Sequence, residues 1–472
     1  IGKYAFALPT LQTVTFTDGG SGQMTIGDYA FTRTSLTSID LPSTLITIGA
    51  NAFQNNSSLT TVNMPASIQT IGELAFYSNK NLATVNFPVN CALATISKRA
   101  FDGCTSLTSF NLENCTSLND IGNSAFLNAG LESIKIPASI VTIGSSAFDG
   151  CVSLASVEFM TAAAEEGGAE KSNLKSIGDE AFAATALTQM NFPESNSNIT
   201  LGNYLFSTCN KLTTIHLSTS IVDIGSAFTQ CMSISTISVA AGNQNYKGHE
   251  TEPLLLNVDG TTIVLAYGPV TEEGGNGEYR LPEGLSVIGE SAFAGQNGIK
   301  KLYIPASVSV IGANAFEYCR TLEEVEFADG SLLTEIGSEA FASCYSLKNI
   351  INLPEGLTTI GASAFYYARS LQNVTLPSTL IHVGNYAFQN CVALESVNIP
   401  ALVSATGYTA QSMFSGCTSL VSVTFSENLN WLPKTLFEDC TALTNIVFPA
   451  GLTTLNTADT SFDGSGVQTV DL

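Results

Sequence analysis

The eighteen residues from Leu36 to Phe53, LTSIDLPSTLITIGANAF, decide the fold. Leu36-Thr37-Ser38-Ile39-Asp40-Leu41 has the L-x-x-L-x-L form of a short strand, in which alternate side chains face opposite sides. Pro42 ends that strand by removing a backbone donor. Gly49, directly after Ile48, suits a backbone conformation that a larger residue would resist. The Ala52-Phe53 pair is expected on a short helical or 3₁₀ turn, with the ring filling the layer between strand and outer face. Leu59 then restarts the cycle. One such unit cannot bury its own Leu, Ile and Phe, so stacked neighbours must do it.

Outward from this stretch the pattern recurs along the chain. The anchor phenylalanine returns at Phe6, Phe31, Phe53, Phe76, Phe101, Phe126, Phe148, Phe182, Phe206 and Phe228. It resumes at Phe293, Phe316, Phe341, Phe365, Phe388, Phe414, Phe437 and Phe462. Most intervals lie within the leucine-rich-repeat range of roughly 20–29 residues. The fold class expected is an α/β repeat solenoid. It would be a right-handed leucine-rich-repeat superhelix with one short strand per turn in a parallel concave sheet. A single domain over 1–472, of about eighteen turns, follows from the anchors.

Two segments break the period. Thr161–Lys171 (TAAAEEGGAEK) lengthens the interval between Phe148 and Phe182 and reads as a mobile polar loop. Residues 240–281 lengthen the next break, between Phe228 and Phe293. There Leu254–Tyr267 (LLLNVDGTTIVLAY) reads as a β-hairpin around Asp259-Gly260. Leu281-Pro282 and Ile288-Gly289 re-enter the repeat, which makes the hairpin an embellished turn.

Composition narrows the function. Charged residues are 12% and hydrophobics 44%, so the polar remainder is mostly neutral, as is common on secreted and surface proteins. Forty acidic against 17 basic residues give a net charge of −23. That balance opposes nucleic acid, and no Lys/Arg run supplies phosphate contacts. Anionic membrane surfaces are disfavoured for the same reason. No stretch has the roughly 18 apolar residues of a transmembrane helix. The chain begins at Ile1 without a leader-type segment, so any signal peptide is expected to lie outside it. It starts and ends within the repeat pattern, and terminal repeats need caps, so flanking sequence is expected too.

Nothing in the pattern suggests catalysis. Nine of the eleven cysteines fall three residues after an anchor Phe: Cys104, Cys151, Cys209, Cys231, Cys319, Cys344, Cys391, Cys417 and Cys440. Elsewhere this slot holds Thr34, Asn56, Asn79, Ala129 or Thr185. It reads as a ladder of small, half-polar residues and structural free thiols. Adjacent-turn pairs such as Cys417 and Cys440 come within disulfide reach, but parallel Cα–Cβ vectors would strain the bridge. Cys91 and Cys115 lie off the ladder. No C-x-x-C knuckle offers zinc ligands, and no D-x-D-x-D loop offers calcium ligands. His216, His249 and His382 sit in different turns, too far apart to share a metal or a base. There is no G-x-S-x-G elbow, P-loop or H-E-x-x-H, and Gly274-Gly275-Asn276-Gly277 lacks the following helix of a phosphate cradle. The chain is expected to need no cofactor or metal and not to be an enzyme.

The pattern L-x-x-I-x-L-P-x-x-L-x-x-I-G-x-x-A-F-x-x-C resembles the BspA-like leucine-rich repeats. Ser139–Leu154 (SIVTIGSSAFDGCVSL) and Ser307–Leu322 (SVSVIGANAFEYCRTL) carry it most closely, and the likeness covers essentially the whole chain. The resemblance implies a surface protein of the kind found in anaerobic bacteria, spirochaetes and parasitic protists. It also implies adhesion to host matrix proteins and a hairpin insert of the type described.

Outward strand positions are mostly bland, as in Thr37, Ser38 and Asp40 or Thr60, Thr61 and Asn63. One region differs: Lys300, Lys301 and Tyr303 project from one strand, and Glu323, Glu324 and Glu326 from the next. The residues allow either a cross-strand salt-bridge patch or a recognition patch. Two functions stay open. One is a secreted or surface-exposed binding and adhesion protein whose partner is a protein, a glycan or another cell. The other is a structural spacer within a larger cell-surface protein.

Overall fold

Most repeats form two short strands instead of the one expected. In the opening stretch these are Ser38–Asp40 and Leu45–Ile48, separated by Pro42. A computed structural model describes residues 1–17, 22–162, 170–229, 231–268, 276–402, 411–429, 431–452 and 461–471. Their architecture is a parallel β-solenoid of stacked coils. The described residues group into two compact units, Ile1–Tyr246 and Lys247–Leu472.

In the first unit the second strands of successive coils make a nine-stranded sheet from Met24–Ile26 to Ile221–Asp223. Register places like on like: Thr47, Thr70 and Thr95 pair in turn, as do Ile48, Ile71 and Ile96. The first strands form shorter parallel sheets, with Ser38–Asp40, Thr61–Asn63 and Thr84–Asn86 as one group. In the second unit the matching sheets run from Leu254–Asn257 to His382–Val383 and from Glu278–Arg280 to Ser422–Phe425.

No helix occurs among the described residues, so the α part of the expected α/β class is corrected. The reason lies around the Ala-Phe pair. Asn51 and Asn55 flank Ala52-Phe53 with φ of 57° and 58°, and left-handed residues at that spacing cannot continue a helix. Their amides turn to the next coil instead of the preceding turn. Asn51 N donates to Glu73 O at 2.8 Å, Phe53 N to Ala75 O at 2.8 Å, and Asn55 N to Tyr77 O at 2.9 Å. The corner is thus a third hydrogen-bonded ladder, built from consecutive tight turns.

Two details of the repeat have different causes from those expected. Gly49 does not need a left-handed backbone. A Cβ there would sit 2.8 Å from Ile26 O and 2.9 Å from Asp28 N, so close packing against the preceding coil excludes it. The anchor rings form a stack and do not simply fill a layer. Phe53 and Phe76 lie 5.2 Å apart at an interplanar angle of 2°, and Phe148 is 5.3 Å from both Phe126 and Phe182. The long interval between Phe148 and Phe182 therefore leaves no gap in the core. Residues 163–169 of the polar loop lie outside the described residues, but Ala162 and Lys171 pair antiparallel at its ends.

The hairpin is present. Leu254–Asn257 pairs antiparallel with Thr262–Ala266, and the turn passes through Gly260 at φ 79°. Thr262 and Ile263 then pair in parallel with Val287 and Ile288, which carries the hairpin into the sheet of the second unit. Gly274 and Gly275 lie outside the described residues.

Candidate functional site

The charged patch expected on the second unit divides into two groups. Lys301–Ile304 and Glu324–Phe327 are adjacent parallel strands, with Lys301 opposite Glu324 and Tyr303 opposite Glu326. Lys301 Nζ lies 2.6 Å from Glu324 Oε1 and 2.9 Å from Glu326 Oε2. These bonds, with a further one to Tyr303, hold the Lys301 ammonium well above the ordinary lysine range. Arg280, on the preceding strand, stacks over Tyr303 with its guanidinium carbon 3.5 Å from the ring centroid. Lys301, Tyr303, Glu324, Glu326 and Arg280 are therefore one cross-strand network. Lys301, Glu324 and Glu326 are half-buried, Arg280 is exposed, and the charges largely neutralise one another.

Lys300 and Glu323 stand apart from it, at the strand starts. Glu323 pairs with Lys348 of the following coil at 2.6 Å, which lowers its carboxyl below the usual range. Lys300 is exposed, with its stem against Gly277. The sequence reading missed Arg280 and Lys348. Arg280 occupies a strand slot and Lys348 the position just before a strand, and both matter only once coil register is known.

The sequence reading also missed a row on the same unit, just past the corner ladder. Arg320 lies 5.7 Å from the Tyr318 ring centroid and 5.8 Å from that of Tyr345. Arg369 lies 5.5 Å from Tyr345 and 4.9 Å from Tyr367. Arg320, Tyr345 and Arg369 each come four residues after an anchor Phe, in three consecutive coils. That shared slot is the signal that could have exposed them.

The first unit has a shallow groove of about 510 Å³ along its second-strand sheet, lined by Thr95, Asp120, Thr142, Ser176 and the glycines beside them. Thr142 Oγ1 donates to Asp120 there. Lys98 is the one cation among the groove's lining residues.

The thiols and imidazoles are placed for structure. Cys104 Sγ donates to Phe76 O at 3.2 Å, and Cys151 Sγ to Phe126 O at 3.1 Å. Burial pushes the Cys151, Cys319 and Cys440 thiols up to about 12, which suppresses the nucleophilic thiolate at neutral pH. All eleven cysteines are free thiols. His216 Nδ1 is 2.8 Å from Ser238 Oγ, while His249 Nδ1 accepts the amides of Thr251 and Glu252. His382 lies on a strand of its own in the second unit. Among the described residues no group of His, Cys, Asp and Glu is arranged to hold a metal, and no helix is long and apolar enough to cross a membrane.

Two solved structures share this architecture. A leucine-rich repeat protein from Bacteroides ovatus is 20% identical, with 92% of this chain and 91% of that chain covered and a TM-score of 0.51. A leucine rich cell surface protein from Faecalibacterium prausnitzii is 25% identical, with 88% and 96% covered and a TM-score of 0.52. No curated protein sequence matches this chain. The family described as BspA type Leucine rich repeat region (6 copies) matches residues 1–120, 91–168, 119–249, 277–352 and 334–467, interrupted only around the hairpin and at the last five residues. With its coil-by-coil Phe stack and matched strand register, the chain belongs to the BspA-type leucine-rich repeat family.

Proposed function

We propose that this chain is a surface-exposed or secreted binding protein, an adhesion module that engages a protein or glycan of a host or of another cell, and not an enzyme. The observation that carries this reading is the coil register. Pairings such as Lys301 with Glu324 and Tyr303 with Glu326 set the outward side chains of successive repeats side by side on a fixed backbone. Such a surface can vary residue by residue while the Phe and Leu positions keep the core. Lys300, Lys301, Tyr303, Glu323, Glu324 and Glu326 are the strand contacts proposed for a partner. The similar Faecalibacterium prausnitzii protein is called a cell surface protein, which supports the location. The ladder thiols, committed to backbone carbonyls and raised by burial, support binding over chemistry.

A spacer role has one observation in its favour. In the first unit, outward polar residues bond to one another: Asn86 Nδ2 donates to Asn63 Oδ1 at 2.6 Å, and Asn63 Nδ2 to Asp40 Oδ1 at 2.5 Å. Groups satisfied in this way have less to offer a ligand. The test is surface protease accessibility in intact cells, with binding of the purified chain to matrix-protein and glycan arrays beside a variant lacking residues 254–266. Surface exposure with saturable binding is expected. Surface exposure without binding on either array would favour the spacer, and protection from protease in intact cells would defeat both readings.

A further inference from the structure

Basic groups are scarce in this chain, 17 against 40 carboxylates, and Lys301 and Lys348 are occupied by glutamates. Arg320 and Arg369 are exceptions. Both are exposed, and among the described residues neither guanidinium has an ion-pair or hydrogen-bond partner. Each is held instead between two tyrosines, in the order Tyr318, Arg320, Tyr345, Arg369, Tyr367. Cation–π contact positions a guanidinium without using its N–H fork, the part that recognises a carboxylate bidentately. Two preorganised forks are thus left open, with the exposed ring of Tyr345 between them.

We propose that this tyrosine–arginine row binds an acidic polysaccharide with a carboxylate on alternate sugars. Each guanidinium takes one carboxylate, and Tyr345 faces the neutral sugar between them. The inference rests on the binding reading above and names a ligand class for it.

Spacing separates this ligand from other anions. Coils stack at roughly 4.8 Å, so the same slot two coils apart puts the arginines roughly 10 Å from one another. In an extended β-linked polysaccharide each sugar advances the chain by about one coil, so charge on every second sugar meets an arginine at every second coil. An extended acidic peptide repeats its same-face side chains at roughly 6.8 Å and falls out of step. A nucleic-acid strand carries a charge about every 3.4 Å, far more than two arginines can neutralise. The neighbourhood also selects for low charge density. Glu317 and Glu339 lie close enough to Tyr318 to raise its phenol above the ordinary range, and they would repel a densely charged polymer. The slot is distinctive within the unit, since flanking coils hold Asn297, Val392, Thr418 and Thr441 there.

Hyaluronan oligosaccharides, with a carboxylate on every second sugar, are the probe, titrated calorimetrically into the whole chain at low and high salt. Binding is expected, weakened by salt, and weakened at least about tenfold by Arg320→Gln with Arg369→Gln, equal to about 1.4 kcal/mol. Arg33→Gln, an exposed arginine of the other unit, should leave it unchanged. Each variant is compared by its melting curve with the parent, and Tyr345→Ala gives a second route if the double variant fails to fold. No hyaluronan binding, binding that survives the double substitution, or tighter binding of polyglutamate, heparin or single-stranded DNA would overturn the proposal. Array binding to a protein with no binding of hyaluronan would leave the adhesion reading intact while removing this one.

Discussion

Cys104 Sγ sits 3.2 Å from the carbonyl oxygen of Phe76, one coil behind it, and the other eight ladder cysteines repeat that contact. Where the slot holds asparagine, an amide does the same: Asn56 Nδ2 reaches Phe31 O at 2.8 Å and Asn79 Nδ2 reaches Phe53 O at 2.9 Å. The anchor Phe carbonyl accepts the amide three residues on, as Phe76 O does from Asn79 N at 3.4 Å, and the side chain of the next coil supplies a second donor. The slot is filled for that donor and not for sulfur chemistry.

Cys417→Ala should accordingly cost more than Cys417→Ser. Alanine removes one of two donors to the buried Phe388 carbonyl, leaving the Cys391 amide at 3.3 Å, a loss of about 0.5–1.5 kcal/mol, while serine keeps an O–H there. Urea melts of the two variants check this. Equal losses, or a more stable alanine variant, would remove the donor role.

Phe148→Ala and Phe316→Ala should each cost about 3–5 kcal/mol. Each ring is fully buried and stacked on both sides, so neighbouring coils cannot collapse into the space. Thr60→Ala should stay within about 0.5 kcal/mol, because its hydroxyl bond to Thr37 O is open to water. Similar losses at the two kinds of site in denaturant melts would contradict the stack as the source of stability.

Thr208→Gly should stabilise the protein by about 1 kcal/mol. Thr208 is exposed and β-branched yet held at φ 59°, where Gly103, Gly150 and Gly416 stand in equivalent corners. The mirror substitution, Gly150→Ala, should destabilise, since it would place a Cβ on a backbone at φ 69°. Thermal melts of both variants decide it, and a lower Tm for Thr208→Gly would count against strain at that corner.

Cys91 and Cys115 form a pair off the ladder, brought together by Cys91 N donating to Asn114 O at 3.1 Å. Donation from the Cys115 thiol pulls Cys91 down from 9.0 to about 7, against the opposing effect of burial. A thiol lowered in the folded state adds stability above its unfolded value and loses it as pH falls through the folded one. The stability advantage of the parent over Cys115→Ala should therefore grow as pH rises from about 7 to 9. A difference that is flat across that window would rule out the coupling.

The anchor Phe, the L-x-x-L-x-L strand and the hairpin at Asp259-Gly260 were legible because each is a local pattern with a period or a turn signature. Lys301 and Glu324 could be listed as neighbours for the same reason, since one repeat length separates them. Other features have no local period to read. The second strand shrinks to two residues in coils such as Thr70-Ile71, too short to show alternation. The helical expectation at Ala-Phe failed because the flanking residues are as unlike as Tyr29, Asn51, Leu74 and Glu180, yet all take positive φ. The next coil's carbonyls impose that conformation, and no propensity of those residues announces it. Arg280 over Tyr303, the thiol-to-carbonyl contacts and the row from Tyr318 to Tyr367 likewise depend on which side chain the adjacent coil puts alongside. Stacking at one coil's spacing creates those contacts, so they exist only after the repeats have closed on one another.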